Sequence, residues 1–201
     1  MKIAVIGSGI MGAGIAQVLA NQYDVVIRDI QIEALLKAKK SIEKNLFRSV
    51  EKAKMTQEVM NEIMSRIIFS SEMSDIQDCD LIIEAATENV AIKKSIFKEL
   101  DQIVQPNAIF ATNTSSLSIT EVAMVTSRPS QVIGLHFFNP VTMMALVEII
   151  SSQVTDPNVA DKMKDLVLSI NKTPVVVNEA PGFVVNRILV PMINEAIACF
   201  H

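Results

Sequence analysis

The chain has 201 residues, of which 50% are hydrophobic and 20% are charged, a balance typical of a globular protein and not of a disordered one. Its formal net charge of −4 excludes an overall basic field of the kind that attracts nucleic acid. No apolar run reaches the roughly 18 residues that a membrane span needs. The N-terminus lacks the charged region and cleavage site of a signal peptide. We therefore expect neither a nucleic-acid partner nor a membrane partner.

A glycine-rich turn lies between the first predicted strand and the first predicted helix. An apolar run at residues 3–6 leads into Gly-Ser-Gly-Ile-Met-Gly, and a helical pattern follows at residues 15–20. Gly-x-Gly-x-x-Gly in this context is typical of a dinucleotide site, with the pyrophosphate at the helix N-terminus. The first glycine allows the tight turn, the second lets the pyrophosphate approach, and the third lets helix and strand pack closely. The predicted cofactor contacts here are Gly7, Gly9, Ile10, Met11 and Gly12.

An acidic residue at the end of the second strand completes such a site. It is expected about 20 residues after the glycines, where it takes a ribose hydroxyl. Asp29 ends the apolar run at residues 25–27 and fits this position. A carboxylate there repels the additional phosphate of NADP, so Asp29 predicts NAD as the cofactor.

The rest of the chain alternates predicted strands with predicted helices. A helical hairpin is expected from residue 31 to 50 and again from Thr56, followed by further helices at 91–104, 159–170 and 184–200. The further apolar runs, each a predicted strand, are residues 66–70, 80–86, 108–112, 131–138, 145–150 and 174–177. This order predicts an α/β fold with a doubly wound, mostly parallel sheet and a helical-hairpin insertion.

The last predicted helix is apolar on several sides. Its apolar residues are Ile188, Leu189, Met192, Ile193, Ala196 and Ile197. A helix that is hydrophobic all round is expected to be buried, and nothing follows it in the chain to bury it.

The two cysteines, Cys79 and Cys199, lie far apart and lack the spacing of metal ligands. We expect both to be buried free thiols, and we expect a reducing cytoplasm and no metal site.

A histidine and a carboxylate on neighbouring apolar strands are the candidate catalytic groups. Glu148 interrupts the apolar strand at residues 146–150, and a buried carboxylate is costly unless it is paired. His136 is the obvious partner, although a strand-end histidine can also be purely structural. A carboxylate fixes the tautomer of an imidazole and stabilises its charged form. The pair therefore predicts hydride transfer in which His136 moves the hydroxyl proton.

Five motifs in order give the chain a resemblance to a known family. They are residues 7–14 with Asp29, then 83–89, 113–117, 136–140 and 181–187. Together they resemble the NAD-binding part of the L-3-hydroxyacyl-CoA dehydrogenases, the bacterial 3-hydroxybutyryl-CoA dehydrogenases in particular. The resemblance implies a Rossmann-type domain at residues 1–182. It also implies reversible oxidation of (S)-3-hydroxyacyl-CoA to 3-oxoacyl-CoA with NAD.

The resemblance implies roles for individual residues as well. His136 resembles the catalytic base and Glu148 its partner carboxylate. Ser115 and Asn186 match residues near the 3-oxygen of the substrate and the nicotinamide, and Ser115 and His136 are implied cofactor contacts too. The remaining implied residues are Glu88, Lys93 and Asn113 on the nicotinamide ribose side, and Lys54 near the CoA phosphates.

The family continues into a helical C-terminal domain that shapes the acyl cleft and carries most of the dimer interface. Residues 183–201 correspond to its first helix, so we expect this chain to be truncated and the full-length protein to be a homodimer.

Two other functions remain open. Sugar-acid dehydrogenases of the L-gulonate type share the dinucleotide-binding half and the His-Phe-Phe-Asn-Pro run, but they need no site for CoA phosphates. A non-catalytic relative would keep the fold without turnover.

Overall fold

The computed structural model describes residues 1–200, which form one eight-stranded sheet with helices on both faces. The strands are β1 (Lys2–Ile6), β2 (Asp24–Arg28), β3 (Ile67–Ser70), β4 (Leu81–Glu84), β5 (Ile109–Thr112), β6 (Val132–Phe137), β7 (Leu146–Ser151) and β8 (Thr173–Asn178). The α-helices are α1 (Ile10–Leu19), α2 (Ile32–Glu51), α3 (Gln57–Ser65), α4 (Val90–Ile103), α5 (Ile119–Ala123), α6 (Pro157–Ser169) and α7 (Val185–Ala198). Every strand and helix predicted from the sequence is present. The short helix α5 was not predicted, since five residues carry too little periodicity to show.

The strand order is β3-β2-β1-β4-β5-β6-β7-β8. All neighbouring strands are parallel except β6 and β7, which pair antiparallel. The predicted doubly wound, mostly parallel sheet is therefore confirmed. The direction of winding reverses between β1 and β4, and in such sheets a ligand binds beyond the carboxyl ends of the strands at this point.

The two faces of the sheet carry separate hydrophobic cores. Side chains alternate along β1, so Ile3 and Val5 pack in one core while Ala4 and Ile6 pack in the other. The first core is covered by α1, α2, α3 and α6, and the second by α4 and α5. Burial on both faces explains why these strands are almost continuously apolar.

The hairpin of α2 and α3 is held by a narrow apolar stripe and by a cap. Ile42 and Leu46 on α2 are buried against the first core. Thr56 caps α3, since its side-chain hydroxyl accepts a hydrogen bond from the N–H of Val59. Lys54, in the segment between the two helices, is exposed, whereas Met55 beside it packs against the first core.

The terminal helix α7 has no buried side chain, although its apolar sides are typical of a buried helix. Ile188 is 63% exposed and Met192 is 58% exposed. Cys79 is buried as predicted, but the prediction for Cys199 was wrong, because it caps α7 and is exposed with the rest of that helix. None of the helices within residues 1–200 combines the length and the apolar character that crossing a membrane requires.

Candidate active site

The glycine-rich turn has the geometry of a dinucleotide cradle. Gly7 has a φ of +98°, a backbone conformation that residues with a Cβ rarely adopt. A Cβ on Gly12 would lie 1.9 Å from the carbonyl oxygen of Gly7, so only glycine allows α1 to approach the turn. A Cβ on Gly9 would instead meet no heavy atom within 4 Å. Gly9 therefore faces open space at the N-terminus of α1, where a pyrophosphate can approach the backbone.

Asp29 follows β2 and is tied to the same turn. Its Oδ2 accepts hydrogen bonds from the N–H of Ser8 at 2.7 Å and from the Ser8 hydroxyl at 2.8 Å, and its Oδ1 accepts one from the N–H of Gln31 at 3.0 Å. Burial raises the pKa of Asp29, but these hydrogen bonds outweigh it, so the pKa lies below its ordinary value. Asp29 is therefore a carboxylate at neutral pH and carries the negative charge on which the choice of NAD rests.

A cleft of about 390 Å³ opens at the carboxyl ends of β4, β5 and β6. It is lined by seven of the residues that the sequence analysis singled out, which are Met11, Glu88, Lys93, Asn113, Ser115, His136 and Asn186. It is also lined by Ala85, Ala86, Phe137, Phe138 and Asn139. The fold thus brings together residues from six separate parts of the chain.

His136 and Glu148 form the predicted pair. The antiparallel register of β6 and β7 places them directly opposite each other. Nδ1 of His136 lies 2.8 Å from Oε2 of Glu148, and the carboxylate is only 1% exposed. The rings of Phe138 and Phe183 pack against the imidazole, with centroids at 4.4 Å and 5.8 Å. Since Nδ1 is committed to Glu148, Nε2 is the nitrogen that can exchange a proton in the cleft.

The second oxygen of Glu148 is held by the start of α7. Oε1 accepts hydrogen bonds from the backbone N–H groups of Val184 and Val185, each at 3.0 Å. The turn before the helix, with Gly182 at φ +76° and Phe183 at φ +51°, presents these two N–H groups to the carboxylate. This link was not predicted from the sequence, although the turn belongs to one of the five motifs.

Polar contacts also join the loops that edge the cleft. Asn113 accepts a hydrogen bond from the N–H of Phe137 at 2.9 Å and so ties the end of β5 to β6. Asn186 on α7 donates to the backbone carbonyl of Ser115 at 3.3 Å. The Ser115 hydroxyl donates to Oε1 of Glu88 at 3.1 Å. Three of the residues implied near the substrate and the nicotinamide are therefore in direct contact.

Two residues near the cleft were given no role from the sequence, and one predicted residue lies apart from the cleft. Glu84 ends β4 as a fully buried carboxylate paired with Lys93, and its position at the end of an apolar run was a sign that could have found it. Asn139 lines the cleft beside His136, within one of the quoted motifs. Lys54 is exposed on the hairpin and is absent from the cleft lining.

Comparisons with known proteins agree with this geometry. Residues 2–180 match the family model described as the NAD-binding domain of 3-hydroxyacyl-CoA dehydrogenase. The 3-hydroxybutyryl-CoA dehydrogenase of Clostridioides difficile is 51% identical over 201 residues, which are 100% of this chain and 72% of that protein. A probable 3-hydroxybutyryl-CoA dehydrogenase of Bacillus subtilis is 45% identical over 100% of this chain and 70% of its own length. The crystal structure of (S)-3-hydroxybutyryl-CoA dehydrogenase from Ralstonia eutropha superimposes with a TM-score of 0.95 at 44% identity, over 97% of this chain and 69% of that one.

Proposed function

The chain belongs to the 3-hydroxyacyl-CoA dehydrogenase family, and we propose that its cleft oxidises the hydroxyl group of (S)-3-hydroxyacyl-CoA reversibly, with NAD as cofactor and His136 as general acid/base. The observation that carries this proposal is the buried His136–Glu148 pair at 2.8 Å, whose imidazole lines the same cleft as Glu88 and Lys93. The substrate we propose has a short acyl chain and is 3-hydroxybutyryl-CoA, because the similar proteins reported above are dehydrogenases named for this substrate.

NAD is the hydride acceptor when it is bound, and the chain supplies binding, orientation and proton transfer. We propose that Gly7, Gly9, Ile10, Met11 and Gly12 hold its pyrophosphate. Support comes from the open space at Gly9 and from the free N–H groups at the start of α1. Asp29 is the proposed partner of a ribose hydroxyl. Glu88, Lys93 and Asn113, which line the cleft, are the proposed contacts of the nicotinamide ribose.

His136 takes the proton of the substrate hydroxyl in this proposal. The 2.8 Å contact between Nδ1 and Glu148 favours the tautomer that carries its proton on Nδ1, which leaves a lone pair on Nε2. When Nε2 accepts the hydroxyl proton, the ring becomes an imidazolium whose positive charge faces the Glu148 carboxylate. In the reverse direction the same nitrogen returns the proton to the 3-oxygen.

Ser115 and Asn186 are the proposed residues that orient the 3-oxygen. Both line the cleft with His136, and the 3.3 Å contact of Asn186 with the Ser115 carbonyl fixes them relative to each other. Asn186 has a second amide N–H for that oxygen, and the Ser115 hydroxyl, which donates to Glu88 in this structure, would turn to donate to it instead.

The whole protein is proposed to be larger than the NAD-binding domain at residues 1–182. We propose that residues 183–201 begin a helical domain, which the exposed apolar sides of α7 support. We also propose that the whole protein is a homodimer with a cytoplasmic location. Its proposed substrate is an acyl-CoA whose phosphates lie near Lys54. The two free cysteines support the reducing location.

The test is oxidation of NADH with acetoacetyl-CoA, measured on this chain and on a chain that carries the helical domain. We expect NAD binding by both, low turnover by the shorter chain and rapid turnover by the longer one. The comparison substrates are free acetoacetate, tested with NADH, and L-gulonate, tested with NAD. Turnover of L-gulonate without turnover of acetoacetyl-CoA would favour the sugar-acid function. NAD binding with no turnover of any of these by the longer chain would favour a non-catalytic relative.

A further inference from the structure

Glu84 is a buried carboxylate that the proposed reaction does not use. It ends β4, is 0% exposed, and each of its oxygens accepts two hydrogen bonds. Oε1 accepts from the N–H of Ala86 at 2.8 Å and from Nζ of Lys93 at 2.9 Å. Oε2 accepts from Nζ of Lys93 at 2.8 Å and from the Thr112 hydroxyl at 2.7 Å. The charge of Glu84 is therefore fully paired, and its partner Lys93 lines the cleft.

Lys93 connects this buried carboxylate to the cleft. Its side chain is 1% exposed, yet the residue lines the cleft. An ammonium group has three N–H donors. The Lys93 ammonium contacts both oxygens of Glu84, and it also lies 3.5 Å from Oε2 of Glu88. The contacts with Glu84 thus fix the position of the Lys93 ammonium relative to Glu88.

Glu88 connects Lys93 to the loop after β5. Its Oε1 accepts hydrogen bonds from the Thr114 hydroxyl at 2.6 Å and from the N–H of Ser115 at 2.8 Å. Burial raises the pKa of Glu88, but these hydrogen bonds and the nearby Lys93 charge outweigh it and bring the pKa below its ordinary value. The Thr112 hydroxyl, which donates to Glu84, also accepts from the N–H of Thr114 at 3.3 Å. The contacts therefore form a closed ring around one wall of the cleft.

We propose that Glu84 is a positioning residue for NAD, which places Lys93, and through it Glu88 and Ser115, against the nicotinamide half of the cofactor. This inference rests on the proposed function, because that function assigns the nicotinamide ribose to Lys93 and Glu88. An apolar pair of the same size could join β4 to α4 without the cost of burying two charges. The ion pair has a use beyond stability because its ammonium faces a carboxylate that lines the cleft.

The test is binding of NAD and of ADP to Glu84→Gln, measured by titration calorimetry. ADP carries the adenosine and both phosphates of the cofactor, whose proposed contacts are the glycine turn and Asp29, but it lacks the nicotinamide and its ribose. Because Glu84→Gln weakens hydrogen bonds to the charged Lys93 ammonium, we expect the Kd for NAD to rise about 10–100-fold. The Kd for ADP is expected to stay within about twofold. Equal rises for both ligands, or no rise for NAD, would overturn the proposal.

A matched control is Asp101→Asn. Asp101 also pairs with a partly buried cation, Arg128, at 2.7 Å, but neither residue lines the cleft. This variant is expected to lower the melting temperature without changing the Kd for NAD. If Glu84→Gln does not fold, Thr112→Val removes one hydrogen bond to Glu84, together with the one that Thr112 accepts from Thr114, and keeps the ion pair. Its Kd for NAD is expected to rise about 2–10-fold with ADP unchanged, and an unchanged Kd for NAD would then refute the proposal.

Lys93→Met separates this inference from the proposed function. If Lys93→Met leaves the Kd for NAD unchanged, the nicotinamide ribose is not at Lys93, and both proposals lose this contact. If Lys93→Met weakens NAD binding while Glu84→Gln does not, only the positioning role of Glu84 is refuted.

Discussion

Replacing Glu148 by glutamine tests the proton-transfer pair most directly. The substitution keeps the size of the side chain and changes one oxygen to an NH2 group. Because Oε1 accepts from the N–H groups of Val184 and Val185 at 3.0 Å, the amide oxygen of Gln is expected to stay on these two donors. The opposite orientation would leave two partly buried donors unpaired, at up to about 1–3 kcal/mol each. The NH2 group must then face Nδ1 of His136.

This orientation gives the imidazole the wrong tautomer. An NH2 group at Nδ1 requires that nitrogen to accept, so the ring proton moves to Nε2, where the substrate proton has to be received. The imidazolium also loses the carboxylate that faces it at 2.8 Å. A hydrogen bond between charged groups contributes about 1.5–3 kcal/mol, so we expect kcat to fall about 10–100-fold. His136→Gln removes the base itself and is expected to lower kcat more, by at least about 10²-fold.

The assay is steady-state oxidation of NADH by acetoacetyl-CoA with the chain that carries the helical domain. The Kd for NAD should change little in either variant, because Glu148 does not line the cleft and His136 acts on the substrate proton. Asp101→Asn serves again as the folded control. A Glu148→Gln enzyme with kcat within about twofold of the parent and an unchanged melting temperature would refute the pairing argument.

Four further predictions concern the cofactor, the two thiols and the terminal helix. NADP should bind at least about tenfold more weakly than NAD, because its phosphate meets the Asp29 charge, and equal affinities would contradict this. In the native chain a thiol reagent should modify exposed Cys199 and spare Cys79, and two rapidly reacting thiols would contradict this. Burial raises the pKa of Cys79 from 9.0 to about 12, so the free energy of unfolding should fall as pH rises above 9, and Cys79→Ala should reduce that fall. Light scattering should show that this chain self-associates through α7 and that Met192→Asp weakens the association, whereas a strict monomer would refute it.

Local patterns in the sequence were sufficient for the order of the elements and for the cofactor turn. Apolar runs and helical periodicity show which residues of a short segment are buried. Each strand and helix could therefore be predicted from its own residues. The glycine motif could be predicted because its demands are local. The positive φ of Gly7 and the contact of Gly12 with the Gly7 carbonyl arise within six residues of chain.

The His136–Glu148 pair was also predictable, because a lone carboxylate in an apolar strand needs a partner. The sequence could not supply the reason that the two residues meet, which is the antiparallel pairing of β6 and β7 in an otherwise parallel sheet. Strand direction depends on how the whole sheet is assembled, and no local pattern records it.

Contacts between distant segments were decided by the tertiary structure alone. The N–H groups at the start of α7 hold the second oxygen of Glu148, 36 and 37 residues away in sequence. Glu84 and Thr112 meet across 28 residues because β4 and β5 end side by side. The family resemblance implied a role for Lys93 at the cofactor, but its burial against Glu84 follows from how α4 packs on the sheet. The sequence thus determined which groups can do the chemistry, and packing decided which of their atoms remain available for it.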